Sequence, residues 1–255
     1  EVGHAKNVAN LEDLIARCIS YLEAYNPSRM ELQIGALQQL HQEAQMVLRQ
    51  LAEREVWEQD AANNRALAFK ALRPLVTRII NTMRAYGLSA KSIEDACVIQ
   101  RKINGTRASK KNNTDEAPAT TDQTEGIASD PTSNEVATAP RSISTARLSY
   151  DLLVEHFSKL VLLLQRETNY NPNEPDLQLS GLQAHEQYLR TLITTATNAE
   201  AESERVRIQR WNLLYEPTNG LVARAKQVKS YIKAVFGSTS PQYKQVSKLS
   251  FRVIR

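Results

Sequence analysis

Apolar side chains recur every three or four positions along most of this chain, the spacing that places them on one face of an α-helix. Over residues 8–23 the stripe is Leu11, Leu14, Ile15 and Cys18, and a later stretch repeats it with Leu153, Phe157, Leu160, Val161 and Leu164. A longer run follows each. The first is Met30, Ile34, Leu37, His41, Ala44, Leu48 and Leu51; the second is Leu182, His185, Leu189, Leu192, Ala196, Ala199 and Val206. Alternating steps of three and four pack as a bundle or short coiled coil. Shorter helices are predicted at 74–86, 90–103, 219–235 and 241–254, with Ser240-Pro241 as a cap and first turn and Gly87 and Gly237 as stops.

The pattern is duplicated. Residues 25–38 (YNPSRMELQIGALQ) align without gaps to 170–183 (YNPNEPDLQLSGLQ), with seven of fourteen positions identical. One further residue of offset aligns Leu67, Phe69, Leu75, Val76 and Arg78 with Leu213, Tyr215, Leu221, Val222 and Arg224. Each Tyr-Asn-Pro, at 25–27 and 170–172, reads as a corner between helices, where Asn caps and Pro occupies a first turn that needs no amide donor. Between the copies the composition shifts to Ser, Thr, Asn, Asp, Glu, Ala and Pro without periodicity, too poor in apolar surface to offset the entropy of ordering. The expected fold is all-α: two tandem helical-bundle repeats of about four helices each, 1–104 and 147–255, joined by a disordered linker over 105–146.

Composition agrees. Glycine is scarce at 8 in 255 residues, and the two cysteines, Cys18 and Cys97, are too few and too far apart for a disulfide framework or a zinc site. No run reaches the roughly 18 apolar residues that a membrane span needs, and Glu1-Val2-Gly3-His4 does not open a signal sequence. A reducing, cytoplasmic setting is expected.

Catalytic constellations do not emerge. The histidines are His4, His41, His156 and His185, and no HExxH, CxxC, GxSxG or phosphate-cradling glycine loop is present. His41 and His185 lie on apolar stripes and read as core or boundary residues, Cys18 and Cys97 as buried thiols. Trp57, Trp211, Tyr25, Tyr170 and Tyr215 read as packing anchors rather than a ligand box. No catalytic residue, metal ligand, cofactor or small-molecule substrate is assigned.

Charge is the feature that stands out. The chain carries a net +4, yet from Pro217 to Arg255 there is no Asp or Glu, while Arg224, Lys226, Lys229, Lys233, Lys244, Lys248, Arg252 and Arg255 supply eight cations. On helices, Lys226, Lys229 and Lys233 would share one face, and Lys244, Lys248 and Arg252 another. Such ridges, with Tyr231, Phe236, Tyr243 and Phe251 interleaved, suit a phosphate backbone. On the second helix Tyr243, Val246, Leu249 and Val253 would point together, away from the lysines. Arg65, Lys70, Arg73, Arg78, Arg84, Arg101, Lys102, Arg107, Lys110 and Lys111 form a weaker version before the linker, whose stretch 112–140 holds six acids and no Lys or Arg.

The motifs GHAKNVAN at 3–10, the two Tyr-Asn-Pro corners, LVTR at 75–78 and SPQYKQVSKL at 240–249 resemble a family of bacterial two-repeat helical proteins, some labelled haemagglutinin-like. The resemblance spans both repeats. It implies the two-repeat fold and carries no established activity with it. Three functions are thus expected in order: a non-enzymatic binder of RNA, on the ribosome or free; a self-assembling protein forming homo-oligomers through its repeats; and a surface adhesin, which that label alone suggests.

Overall fold

The computed structural model describes residues 2–105 and 149–254, and of these it makes an all-α protein without a strand. The linker expected at 105–146 lies outside the described residues apart from Gly105, as does Arg255. The helices are α1 (Val2–Ser20), α2 (Ile34–Ala85), α3 (Ala90–Asn104), α4 (Tyr150–Gln165), α5 (Leu179–Tyr215), α6 (Leu221–Phe236) and α7 (Pro241–Ser247).

Serine caps open three of them. Ser89, Ser149 and Ser240 accept hydrogen bonds from the amides of Ser92, Leu152 and Tyr243, satisfying donors that have no partner within the helix. Pro241 takes the first turn of α7 as expected, and Gly87 and Gly237 adopt positive φ where α2 and α6 end.

Two expected helices are corrected. The segment 74–86 is not separate: α2 runs through Pro74 for 52 residues, so the first repeat has three helices. Proline removes one amide donor, and a long amphipathic helix buried on both sides of it (Leu72 and Val76 are fully covered) tolerates that loss. The segment 241–254 is helical only to Ser247, and residues 248–254 continue as a non-helical C-terminal segment.

Both Tyr-Asn-Pro elements form the same corner. Tyr25 donates its hydroxyl to the Leu32 carbonyl at 2.6 Å, and Tyr170 donates to the Leu177 carbonyl at 2.9 Å, each spanning seven residues. Tyr25, Tyr170, Leu32 and Leu177 are buried. The prolines are buried within the corner and do not start the long helices, which begin only at Ile34 and Leu179. In the second corner Gly181 leaves room for the Pro175 carbonyl, into which a Cβ would collide.

The compact units do not follow the linker. One comprises Glu1–Ala66 with Thr194–Arg255, the other Leu67–Ile193. Repeats 1–104 and 147–255 are therefore divisions of sequence, whereas each folded unit takes part of both. The physical reason is the length of α2 and α5, each of which gives its first part to one unit and its last part to the other.

In the first unit, α1, the first corner and the start of α2 bury Leu11, Leu14, Cys18, Leu37 and Leu40 against Leu214, Leu221, Ala225, Val228 and Ile232 from the end of α5 and α6. Further along, Leu51 packs with Val206, and Ala61 with Ala196 and Ala199. Rising numbers on α2 meet falling numbers on α5, an antiparallel pair that the small residues bring close. Arg207 ties this pair by reaching Glu58 at 3.0 Å and Glu55 at 3.5 Å. In the second unit, α4 buries Phe157, Leu160 and Leu164 against Leu72, Val76, Ile79 and Met83 of α2 and Ile103 of α3.

Of the long-helix stripes Leu37, Ala44, Leu51, Leu182, Leu189, Ala196, Ala199 and Val206 are buried and Ile34, His41, Leu48, His185 and Leu192 half-buried, whereas Met30 is 75% exposed. The tryptophans are also corrected. Trp57 and Trp211 are 36% and 48% exposed and belong to none of these cores, each lying beside a half-buried charged residue, Glu58 and Arg210.

Removing either corner hydroxyl leaves a buried carbonyl unpaired, so Tyr25→Phe and Tyr170→Phe should each cost about 1–2 kcal/mol. Urea unfolding followed by circular dichroism checks this, with similar losses expected for the two variants.

Candidate nucleic-acid interface

Residues 217–254 of the acid-free stretch form the turn after α5, α6, α7 and the C-terminal segment, all in the first unit. Its placement begins with the turn after α5, where the Glu216 carboxylate accepts from the amides of Asn219 and Thr218. These backbone donors hold the Glu216 carboxyl below the ordinary range. Gly220 then opens α6, and a Cβ there would strike the backbone of Glu216.

Helix α6 docks by its apolar face on α1, while Tyr231 meets the Tyr25 ring edge-on at 5.5 Å and Phe236 packs on Tyr21 at 5.2 Å. Phe251 is buried as well. These rings are thus spent on packing and are not stacking platforms. Tyr243 is half-buried, with Lys233 over its face at 5.8 Å.

The C-terminal segment is clasped by α1. Asn7 donates to the Arg252 carbonyl at 2.8 Å and accepts from the Arg252 amide, and Asn10 donates to the Ser250 carbonyl at 2.7 Å. Asn7 also donates to the Tyr215 hydroxyl, which lies 2.6 Å from His4 Nδ1. The motif at 3–10 and the chain end after the motif at 240–249 are therefore two sides of one contact. Sequence reading missed Asn7 and Asn10, although polar residues three apart beside an apolar helical stripe are a signal for a buried polar seam.

The predicted cations divide by environment. Lys226, Lys233, Lys244, Lys248 and Arg252 are exposed and make no ion pair among the described residues. The ridge expected from Lys244, Lys248 and Arg252 is corrected, because α7 stops at Ser247: Lys248 is its C-cap and Arg252 lies beyond it. Val253 for the same reason is 55% exposed and does not join Val246 in the core.

Lys229 is also corrected. Its ammonium donates to the carbonyls of Ser247 at 3.1 Å and Leu249 at 2.9 Å, closing the end of α7, and burial pushes its pKa down. The side chain is half-buried and its ammonium is held by backbone carbonyls.

Arg224 stands apart from the exposed group. It lines an open groove of about 620 Å³ with Gln39, Glu43 and Glu216, among acids rather than cations. Glu31 has its carboxyl held down by its own backbone amide, by Arg29 and by Arg224. The repeat alignment pairs Arg224 with Arg78 and Glu31 with Asp176, and Arg78 and Asp176 form an ion pair in the second unit. Arg224 is thus the counterpart of a structural arginine.

Cys18 is buried and its thiol is pushed up to about 12, so it is no nucleophile at neutral pH. Cys97 is half-buried with the Arg84 guanidinium at 3.7 Å. His41 faces Glu12 at 3.7 Å, and His185 packs edge-on against Phe157 at 5.7 Å. No described helix is long and apolar enough to cross a membrane.

Lys229→Met should lower the urea midpoint and loosen the amides after Ser247, whereas Lys226→Met should change neither; hydrogen exchange by mass spectrometry distinguishes them. Burial lowers His185, and burial with Lys102 and Lys159 lowers His156. The unfolded chain therefore takes up these protons first as pH falls. The stability they provide is complete above about 6.5 and is lost as pH drops through that value toward the folded-state pKa. Urea midpoints at pH 7.5 and 5.5 should diverge in the wild type and converge in a His156→Gln, His185→Gln double variant.

Comparison of the chain with family models, with curated proteins and with solved structures gives no match.

Proposed function

We propose that this protein is a non-enzymatic, cytoplasmic binder of RNA that uses the basic surface of α6, α7 and the C-terminal segment. The observation that carries the reading is the long acid-free stretch in which Lys226, Lys233, Lys244, Lys248 and Arg252 remain exposed without carboxylate partners. Cations held on a packed scaffold without counterions of their own attract a polyanion, and each phosphate they neutralise releases condensed counterions.

The contact is to the phosphate backbone. With Tyr231, Phe236 and Phe251 turned into the protein, base stacking contributes little, and backbone cations position a nucleic acid without reading its sequence. Weak sequence preference follows. Lys229 and Arg224 belong to the scaffold of this surface and Lys226, Lys233, Lys244, Lys248 and Arg252 to its contacts.

Titration of a fluorescent single-stranded RNA from 50 to 200 mM salt tests this. Affinity should fall steeply, and changing those five residues to Gln should abolish most binding, each lost contact reducing the log–log salt slope by about 0.7. Equal affinity of wild type and variant would sink the proposal. So would binding to anionic vesicles with none to RNA.

A further inference from the structure

Among the described residues the buried clusters share one property: each joins the two repeats, and none is made within one. Call the part of a repeat up to the middle of its long helix its head and the remainder its tail. The head of repeat 1 closes the first unit on the tail of repeat 2, and the head of repeat 2 closes the second on the tail of repeat 1. Equivalent positions do equivalent work. Leu11, Leu14 and Cys18 fill one core where Phe157, Leu160 and Leu164 fill the other.

The polar pattern is echoed only in part, since among the described residues the ion pair of the second unit has no counterpart pair in the first. Asp176 of a head pairs with Arg78 of a tail, and Glu31 of the other head is held down by its own backbone amide, by Arg29 and by Arg224 of the other tail. Two head-to-tail interfaces thus share sequence and apolar filling. An unpaired repeat would present its α1 or α4 stripe to water, which the hydrophobic effect opposes in proportion to the apolar surface left uncovered.

We propose that the head-to-tail face is a self-recognition surface whose partner is a second copy of this chain: repeat 1 of one molecule docks on repeat 2 of another through the contacts that close each unit within one chain. Among the described residues the contacts that close each unit are made by the heads and tails, and these contacts are the same whether both repeats belong to one chain or to two. The device is a reciprocal exchange of like elements, which generates closed dimers without a new surface. It stands independently of RNA binding.

Two full-length copies with different tags test it. Copy A carries Leu11→Asp and Leu14→Asp, which spoil the head of repeat 1; copy B carries Val228→Asp and Ile232→Asp, which spoil the tail of repeat 2. Neither alone can close the first unit, but the head of B and the tail of A are both intact. After refolding together, capture on one tag should retain the other copy in a 1:1 ratio. Isotope-labelled A should then regain protection in α6, with exchange about 100-fold slower than for A alone.

Absence of co-capture, with α6 of A still unprotected in the mixture, would overturn the proposal. A second arm avoids core substitutions. The wild-type chain, with a protease site inserted within 106–148, is cut after folding, and a 5-fold excess of uncut copies bearing another tag is added. Transfer of cut halves to the tagged copies after a denaturation and refolding cycle supports exchange; halves that reunite with each other alone, or separate, argue against it.

Discussion

The structure depends on burial of each repeat's first helix against the other repeat's last ones. Leu14 and Leu160 are fully enclosed, and what encloses them comes mainly from sequence far away along the chain. The hydrophobic effect is indifferent to connectivity and needs only complementary apolar area. Here that indifference allows two similar halves to complete one another, and long helices shared between units are the geometric means. The corner tyrosines fix where each long helix begins, and Arg207 and Arg78 hold polar partners at the edges of the cores.

The basic surface is a by-product of the same arrangement. Helix α6 spends Val228 and Ile232 on the core, Lys229 on the carbonyls at the end of α7, and leaves Lys226 and Lys233 outside. One short helix face therefore contains both a structural and a solvent-facing lysine three residues apart. Charge alone does not separate them; the course of the chain after Ser247 does.

Much of the fold was legible because a three-to-four apolar spacing is a local property. The all-α class, the stripes through Leu37 and Leu189, the Ser240 cap and the corners could all be read residue by residue. The unread part was non-local. Nothing about Pro74 by itself says that α2 continues past it, since that depends on Leu72 and Val76 finding cover. The end of α7 at Ser247 depends on Lys229 and on the amides of Asn7 and Asn10, which compete for the backbone of residues 247–252. Of the candidate surface, its acid-free composition was visible from the sequence, while the removal of Lys229 and Arg224 from it required the tertiary partners.

The clasp between α1 and the C-terminal segment has a consequence for synthesis. Asn10 and Ser250 are separated by 240 residues, and Asn7 and Arg252 by 245. A nascent chain emerging at about 5–20 residues per second makes α1 long before the C-terminal segment that covers its polar edge exists, so α1 must wait on the order of ten seconds or more for its mate. The described core of the second unit draws only on residues within 68–193, and that unit is free to form first.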